Sequence, residues 1–141
     1  MNYITDKPLD YSTLFADFRD PNSGAVVLFS GEVRGSNQGK PVDRLEYEAY
    51  EPMANSMIAS ILEEAGTKWS LNKAICVHRI GTVEVMECAV VVITASAHRS
   101  AAYEANRYII DRVKHEVPIW KHEFFTDGTS EWGENCECHH E

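Results

Sequence analysis

The sequence predicts an α+β fold: a single-domain sandwich of mixed, largely antiparallel strands with about three helices. Three observations predict it. The 141 residues, 44% of them hydrophobic, suit one compact domain that buries a core without disulfides or metals. Apolar residues recur with period 2 in some segments and period 3.6 in others, in the order α, β, β, α, β, β, β, α, β, which is not a regular βαβ repeat. No internal repeat, low-complexity stretch or linker divides the chain before Trp132, so residues 1–132 form the domain and residues 133–141 an acidic tail expected to be mobile.

The first helix is expected over Asp10 to Phe18, where Leu14, Phe15 and Phe18 share a face and Asp10 or Ser12 can cap. Asp20-Pro21-Asn22-Ser23-Gly24 ends it. Ala25 to Val33, rich in β-branched and aromatic residues, reads as a buried strand leading into the polar loop Arg34 to Gly39. Leu45 to Ala49 alternates strictly, as a strand with one wet face does. Pro52 then suits the first turn of a helix whose inner face carries Met53, Met57, Ile58, Ile61, Leu62, Ala65 and Trp69.

Strands follow at Ala74 to Arg79, Thr82 to Met86 and Ala89 to Ala97. Ser96 or Ser100 can cap a helix reaching Glu116, with Ala102, Ala105, Ile109 and Val113 as its apolar stripe. Pro118 stops that helix, and Ile119 to Phe125 alternates with Trp120, His122 and Phe124 on one side and Ile119, Lys121 and Glu123 on the other. Asp127-Gly128 marks a turn.

The formal charge of −9 excludes a general phosphate-backbone binder, so no nucleic-acid partner is expected. The charge is unevenly spread. Residues 79–122 hold six basic side chains against five acidic, whereas residues 123–141 hold six acidic and no Lys or Arg, leaving a basic island suited to a small anion. The longest apolar run, Ala89 to Ala97, is too short to span a bilayer, and the first residues show no export pattern, so no membrane association is expected. The four cysteines lack the spacing of a disulfide framework, which points to a reducing cytoplasm.

Five cations stand at element ends or beside loops: Arg34, His98, Arg99, Lys114 and Lys121. Arginine grips a phosphate with two parallel donors, and lysine supplies a point charge or, when deprotonated, a nucleophile. The same residues are also compatible with solvated surface charges, Lys114 pairing with Asp111 and Lys121 with an acid across the sheet. His78-Arg79 and His98-Arg99 each close an apolar strand; His78 reads as a packed structural histidine, while His98 and Arg99 before a helix start favour an anion. Cys76 and Cys88 lie in apolar strand context and read as small hydrophobes. Cys136, Cys138, His139 and His140 have metal-ligand chemistry but lack paired C-x-x-C spacing, so no metal site and no cofactor are expected.

Phe29-Ser-Gly-Glu-Val-Arg34, Leu45-Glu-Tyr-Glu-Ala-Tyr50 with Met53, His78-Arg-Ile-Gly81, Ser96-Ala-His-Arg-Ser100, and Asp111 to Lys121 with its Val-Pro-Ile-Trp-Lys block, followed by Asp127-Gly128 and Trp132, occur in this order. Together they resemble the large, catalytic subunit of molybdopterin synthase, from about Gly24 to Trp132. The resemblance implies an α/β-hammerhead type of fold and a dimer of large subunits, each binding a small ubiquitin-like sulfur carrier to make a heterotetramer. It implies a sulfurtransferase that moves sulfur from the carrier's C-terminal thiocarboxylate to cyclic pyranopterin monophosphate, forming the dithiolene of molybdopterin in molybdenum cofactor biosynthesis. By the same resemblance Lys114 and Lys121 are the catalytic lysines, and Arg34, His98 and Arg99 join them in binding substrate, the His-Arg pair reaching over from the neighbouring subunit. Two positions depart from the pattern: Met86-Glu87 stands where Gly and an acid are expected, and Tyr103 where Phe is common. The competing readings are a non-catalytic binding module for a ubiquitin-like partner or pterin, and a small metal-binding protein using the Cys/His tail.

Overall fold

A computed structural model describes residues 2–134. The Cys/His cluster of residues 136–140 lies outside the described residues. In chain order the elements are β1 (Ile4–Thr5), α1 (Tyr11–Ala16), β2 (Ala25–Glu32), β3 (Ser36–Asn37), β4 (Lys40–Ala49), α2 (Glu51–Trp69), β5 (Lys73–Arg79), β6 (Gly81–Glu84), β7 (Cys88–Ser96), α3 (Arg99–Glu116), β8 (Ile119–Phe125) and β9 (Ser130–Glu134). Among the described residues the architecture is α+β, as expected: three helices against two sheets whose pairings are antiparallel except for β1 with β5.

The first sheet has the order β1-β5-β7-β2. Its central strand β7 is buried along its whole length, which explains an apolar run without alternation. Helices α2 and α3 cover one face, where Ile58, Ile61, Ala65, Ile109 and Val113 meet Cys76, Val90 and Val92. Leu9, Leu14 and Phe18, around α1, cover the other over Ile75, Val91 and Ile93. The second sheet has the order β3-β4-β8-β9, with β6 also pairing β4. Leu45, Tyr47, Val83, Ile119 and Phe125 from this sheet join the same core as α2 and α3, so the two sheets share one interior.

Local chemistry sets the helix ends. Asp10 caps α1 by accepting from the Ser12 and Thr13 amides. Pro52 sits in the first turn of α2, and Ser70, at φ 51°, closes it in the left-handed conformation. Helix α3 corrects the expected cap: His98 occupies the N-cap position without a side-chain cap bond, Ser96 Oγ bonds the His98 carbonyl, and Ser100 bonds Glu104. The four stripe residues of α3 are all fully buried. Asn106 interrupts that stripe from inside, donating at 3.1 Å to the carbonyls of Val27 and Val92 and so tying the helix to two strands at once.

Three further expectations are corrected. Strand β2 is half-buried, not buried, because it ends the first sheet and pairs with β7 on one side. Met53 points outward at 49% exposure, its inner place taken by Ala54. Strand β4 starts at Lys40, not Leu45, and β1, β3 and β9 carry too little alternation to stand out in the sequence. Strand β9 covers Ser130–Glu134.

Candidate functional site

A cleft of about 290 Å³ opens where the two sheets meet the end of α3. Its floor comes from β2 and β7: Phe29, Gly31, Ala89 and Val90 line it. Gly31 leaves no room for a side chain, since a Cβ there would lie 2.7 Å from Val90 Cγ1. Val42, Leu45 and Tyr47 of β4 form the apolar wall. The rim is polar, with Arg34, Lys114 and Lys121 against Glu32 and Glu123.

Each cation arrives there for a local reason. Lys114 stands in the last turn of α3, where a cation complements the helix dipole. Pro118 turns the chain back into β8 three residues before Lys121. In the β8–β4 ladder Lys121 lies opposite Tyr47 and Glu123 opposite Leu45, so all four share the cleft-facing side. His122 and Phe124 fall on the outer side, where His122 stacks on Trp132 at 4.3 Å and Arg44 lies 3.9 Å from the Phe124 ring centre. Arg34 follows β2 and is anchored through its neighbour: the Val33 amide donates to the Glu87 carbonyl at 3.1 Å, and the Met86 amide donates to the Val33 carbonyl at 2.8 Å.

That anchoring turn contains the departure noted at Met86. Its φ is 76°, in the left-handed region where a glycine is unstrained, and its side chain is 82% exposed. The turn keeps its shape with methionine; Glu87 holds it by accepting from the Glu84 amide at 2.9 Å and pairing with Arg79 at 3.3 Å.

The structure thus gathers Arg34, Lys114 and Lys121, 80 and seven residues apart in sequence, on one cleft. His98 and Arg99 stand elsewhere in this chain. They are exposed at the start of α3, and Arg99 precedes Lys114 by fifteen helical residues, about 22 Å at 1.5 Å per residue. Asp111, the surface partner considered for Lys114, pairs with Arg107 at 3.7 Å.

Four cleft residues escaped the sequence reading. Glu123 is held by Asn37, whose amide donates to both carboxylate oxygens at 3.0 and 2.8 Å. Glu32 adds a second carboxylate, and Tyr47 an aromatic wall. The cleft therefore holds three cations against two anions, not cations only. Lys121 and Glu123 in alternation on one strand was the available signal, since both then had to face the same side.

Behind the wall lies His78, 1% exposed, its ring edge-on to Tyr47 at 4.9 Å. Burial, assisted by the nearby charge of Lys114, lowers its pKa to about 4 although its bond to the Arg79 carbonyl acts the other way. Burial also pushes the Cys76 thiol up to about 12 and raises that of Cys88. Neither cysteine is a nucleophile at neutral pH. Among the described residues no group of three or more His, Cys, Asp or Glu side chains could hold a metal, and no helix is long and apolar enough to cross a membrane.

The fold and site define an α+β domain with a mixed-charge, cation-rich cleft at the junction of two sheets and, among the described residues, no cysteine thiol poised to ionise. The model of the MoaE protein family matches residues 4–116, and the chain belongs to that family. It is 45% identical over 134 residues to the molybdopterin synthase catalytic subunit of Bacillus subtilis, covering 95% of this chain and 85% of that one. Against the catalytic subunit of Thermoplasma volcanium the identity is 44%, over 92% and 94% of the two chains. The solved molybdopterin synthase of Staphylococcus aureus superposes with a TM-score of 0.87 at 40% identity, over 94% of this chain and 96% of that one. A MoaE protein from Burkholderia ambifaria matches with a TM-score of 0.80 at 30% identity, over 96% and 89%. The family gives the chain a role in molybdopterin biosynthesis.

Proposed function

We propose that the chain is the catalytic subunit of a molybdopterin synthase, acting as a sulfurtransferase. Sulfur comes from the C-terminal thiocarboxylate of a small ubiquitin-like partner and passes to cyclic pyranopterin monophosphate, two transfers making the dithiolene. The observation that carries this reading is the convergence of Lys114, Lys121 and Arg34 on one cleft in a member of this family. A phosphate and a carboxylate-ended tail are both anions, and three cations set into a partly apolar recess bind them more strongly than the same charges in open water. The raised thiol pKa values of Cys76 and Cys88 support a sulfur donor outside this chain. Free buried cysteines support a cytoplasmic location.

In this reading Lys114 acts on the thiocarboxylate or the pterin carbon, while Lys121 and Arg34 hold the negative charge that develops. His98 and Arg99 contribute from a second copy, since within one chain the helix sets them far from Lys114. The solved complex of subunits 1 and 2 of the Helicobacter pylori molybdopterin-converting factor shares the fold at 21% identity and a TM-score of 0.76.

The test is to mix the purified protein with a thiocarboxylated carrier and cyclic pyranopterin monophosphate and to assay dithiolene. Product is expected, and Lys114→Ala is expected to lower its rate about a hundredfold or more, as loss of a preorganised catalytic group does. Carrier binding without product would establish the binding-module reading instead. Near wild-type turnover by a folded Lys114→Ala protein would remove Lys114 from the chemistry.

A further inference from the structure

Arg34 reaches the cleft from the loop between β2 and β3. The bonds of Val33 to Met86 and Glu87 secure the near end of that loop. Its far end is β3, a strand of two residues that stands at the end of the second sheet and pairs with Pro41 and Lys40 of β4. The turn into β4, Gln38-Gly39, has positive φ at both residues, 52° and 82°, which suits a two-residue hairpin. The Val42 amide donates to the Gly35 carbonyl at 2.9 Å. So short a hairpin holds little by itself.

A side-chain bond gives it a longer reach. Asn37 Nδ2 donates to both carboxylate oxygens of Glu123, at 3.0 and 2.8 Å. Strand β4 lies between β3 and β8, so this bond steps over a whole strand and fastens the hairpin to the strand that carries Lys121. Both partners line the cleft and are half-buried. The charged acceptor makes the bond stronger than one between neutral groups.

We propose that Asn37 is a positioning residue for Arg34: its bond to Glu123 closes the 34–39 loop onto β8 and so holds the guanidinium over the cleft. This rests on the assignment of Arg34 to substrate binding. It also accounts for a carboxylate in a cleft meant for anions, since Glu123 serves there as the acceptor that ties the loop down. The loop is either in place or swung away, and productive binding falls with the fraction in place. Loss of a hydrogen bond to a charged group shifts such a balance by about tenfold or more.

Exchanging donor and acceptor tests the bond. Asn37→Asp and Glu123→Gln both preserve side-chain length. Asn37→Asp alone sets two carboxylates against each other, whereas Asn37→Asp/Glu123→Gln restores one donor and one acceptor with the direction reversed. In the reconstituted sulfur-transfer assay, Asn37→Asp should lower kcat/KM about tenfold or more, and the double variant should recover most of the loss. Asn37→Leu removes the donor without adding charge. It should also cost about tenfold, but less than about twofold in an Arg34→Ala background, where there is no guanidinium left to place. A double variant no more active than Asn37→Asp, or an undiminished loss from Asn37→Leu without Arg34, would overturn the proposal.

Hydrogen exchange read by mass spectrometry needs no turnover. The amides of residues 35–42 should exchange faster in Asn37→Leu and Asn37→Asp and return towards wild-type rates in the double variant, with α2 and β7 unchanged as the control for folding. Unaltered exchange of residues 35–42 in Asn37→Leu would overturn the proposal. If the wild-type protein made no dithiolene, the proposed activity would fall while this arm still tested the tie.

Discussion

Burial governs what each titratable side chain can do, and His78 shows it with a definite sign. Its folded pKa of about 4 lies below the ordinary 6.5, chiefly through desolvation and secondarily through the charge of Lys114. Between those values the unfolded chain holds a proton that the folded chain does not. Stability is therefore complete above pH 6.5 and falls as the pH drops through 6.5 towards 4, by up to about 3 kcal/mol from this group. Denaturant unfolding at about pH 7.5 and about pH 4.5 should show the loss, and it should be smaller in His78→Asn, where no imidazole titrates. Met86 gives a second residue-scale prediction. At φ 76° it occupies a conformation that costs a side-chain-bearing residue about 1 kcal/mol, so Met86→Gly should raise stability by roughly that amount in the same assay. A decrease would show that the methionine side chain compensates the backbone.

Among the elements, α3 does the most to build the site, because it joins the core to the cleft. Its stripe anchors it against β7 and β2, and Lys114 follows Val113 out of that interior into the last turn. Asn106 fixes the helix in register by bonding the Val27 and Val92 carbonyls, with Thr94 Oγ1 at 3.4 Å as a third partner. Asn106→Ala should cost about 2–3 kcal/mol in unfolding free energy, because it opens a cavity and leaves polar atoms enclosed without their donor. A loss below about 0.5 kcal/mol would mean that the helix is held by its apolar stripe alone. The outer end of α3 is tied by Arg112, which donates to Glu116 and, at 2.8 Å, to Glu64 on α2. Those carboxylates are exposed, so this link guides helix packing more than it stabilises the fold.

At the scale of the whole molecule, the proposed site calls on residues at two ends of the same helix. His98 and Arg99 begin α3 and Lys114 lies near its end, about 22 Å away by helical rise, so one chain does not bring them together. If a second copy supplies the His-Arg pair, variants can complement each other. A His98→Ala/Arg99→Ala double variant and Lys114→Ala should each be nearly inactive. Exchanging subunits between equal amounts should restore about a quarter of wild-type sites, since half the dimers are hybrids with one intact site each. No gain in activity from hybrids verified by mass spectrometry would confine the site to one chain.

The sequence by itself determined the local features and the chemical types present. Leu45 and Tyr47 alternate with Glu46 and Glu48, the α3 stripe repeats at three and four residues, and Pro118 stops a helix; each follows from the period of one element and needs no neighbour. Position at element ends, and then resemblance to a family, offered five cations as a set, Lys114, Lys121 and Arg34 together with His98 and Arg99. Only the tertiary structure decided that these three meet while His98 and Arg99 do not, because convergence depends on strand order and register, which alternation leaves undefined. The same holds for Glu32 and Glu123 on the rim, for the edge position that leaves β2 half-buried, and for Met86 in a left-handed turn. His78 joins both levels: its place at the end of an apolar strand marked it as a buried histidine, but the carbonyl its ring bonds and the cleft behind which it stands are properties of the folded chain.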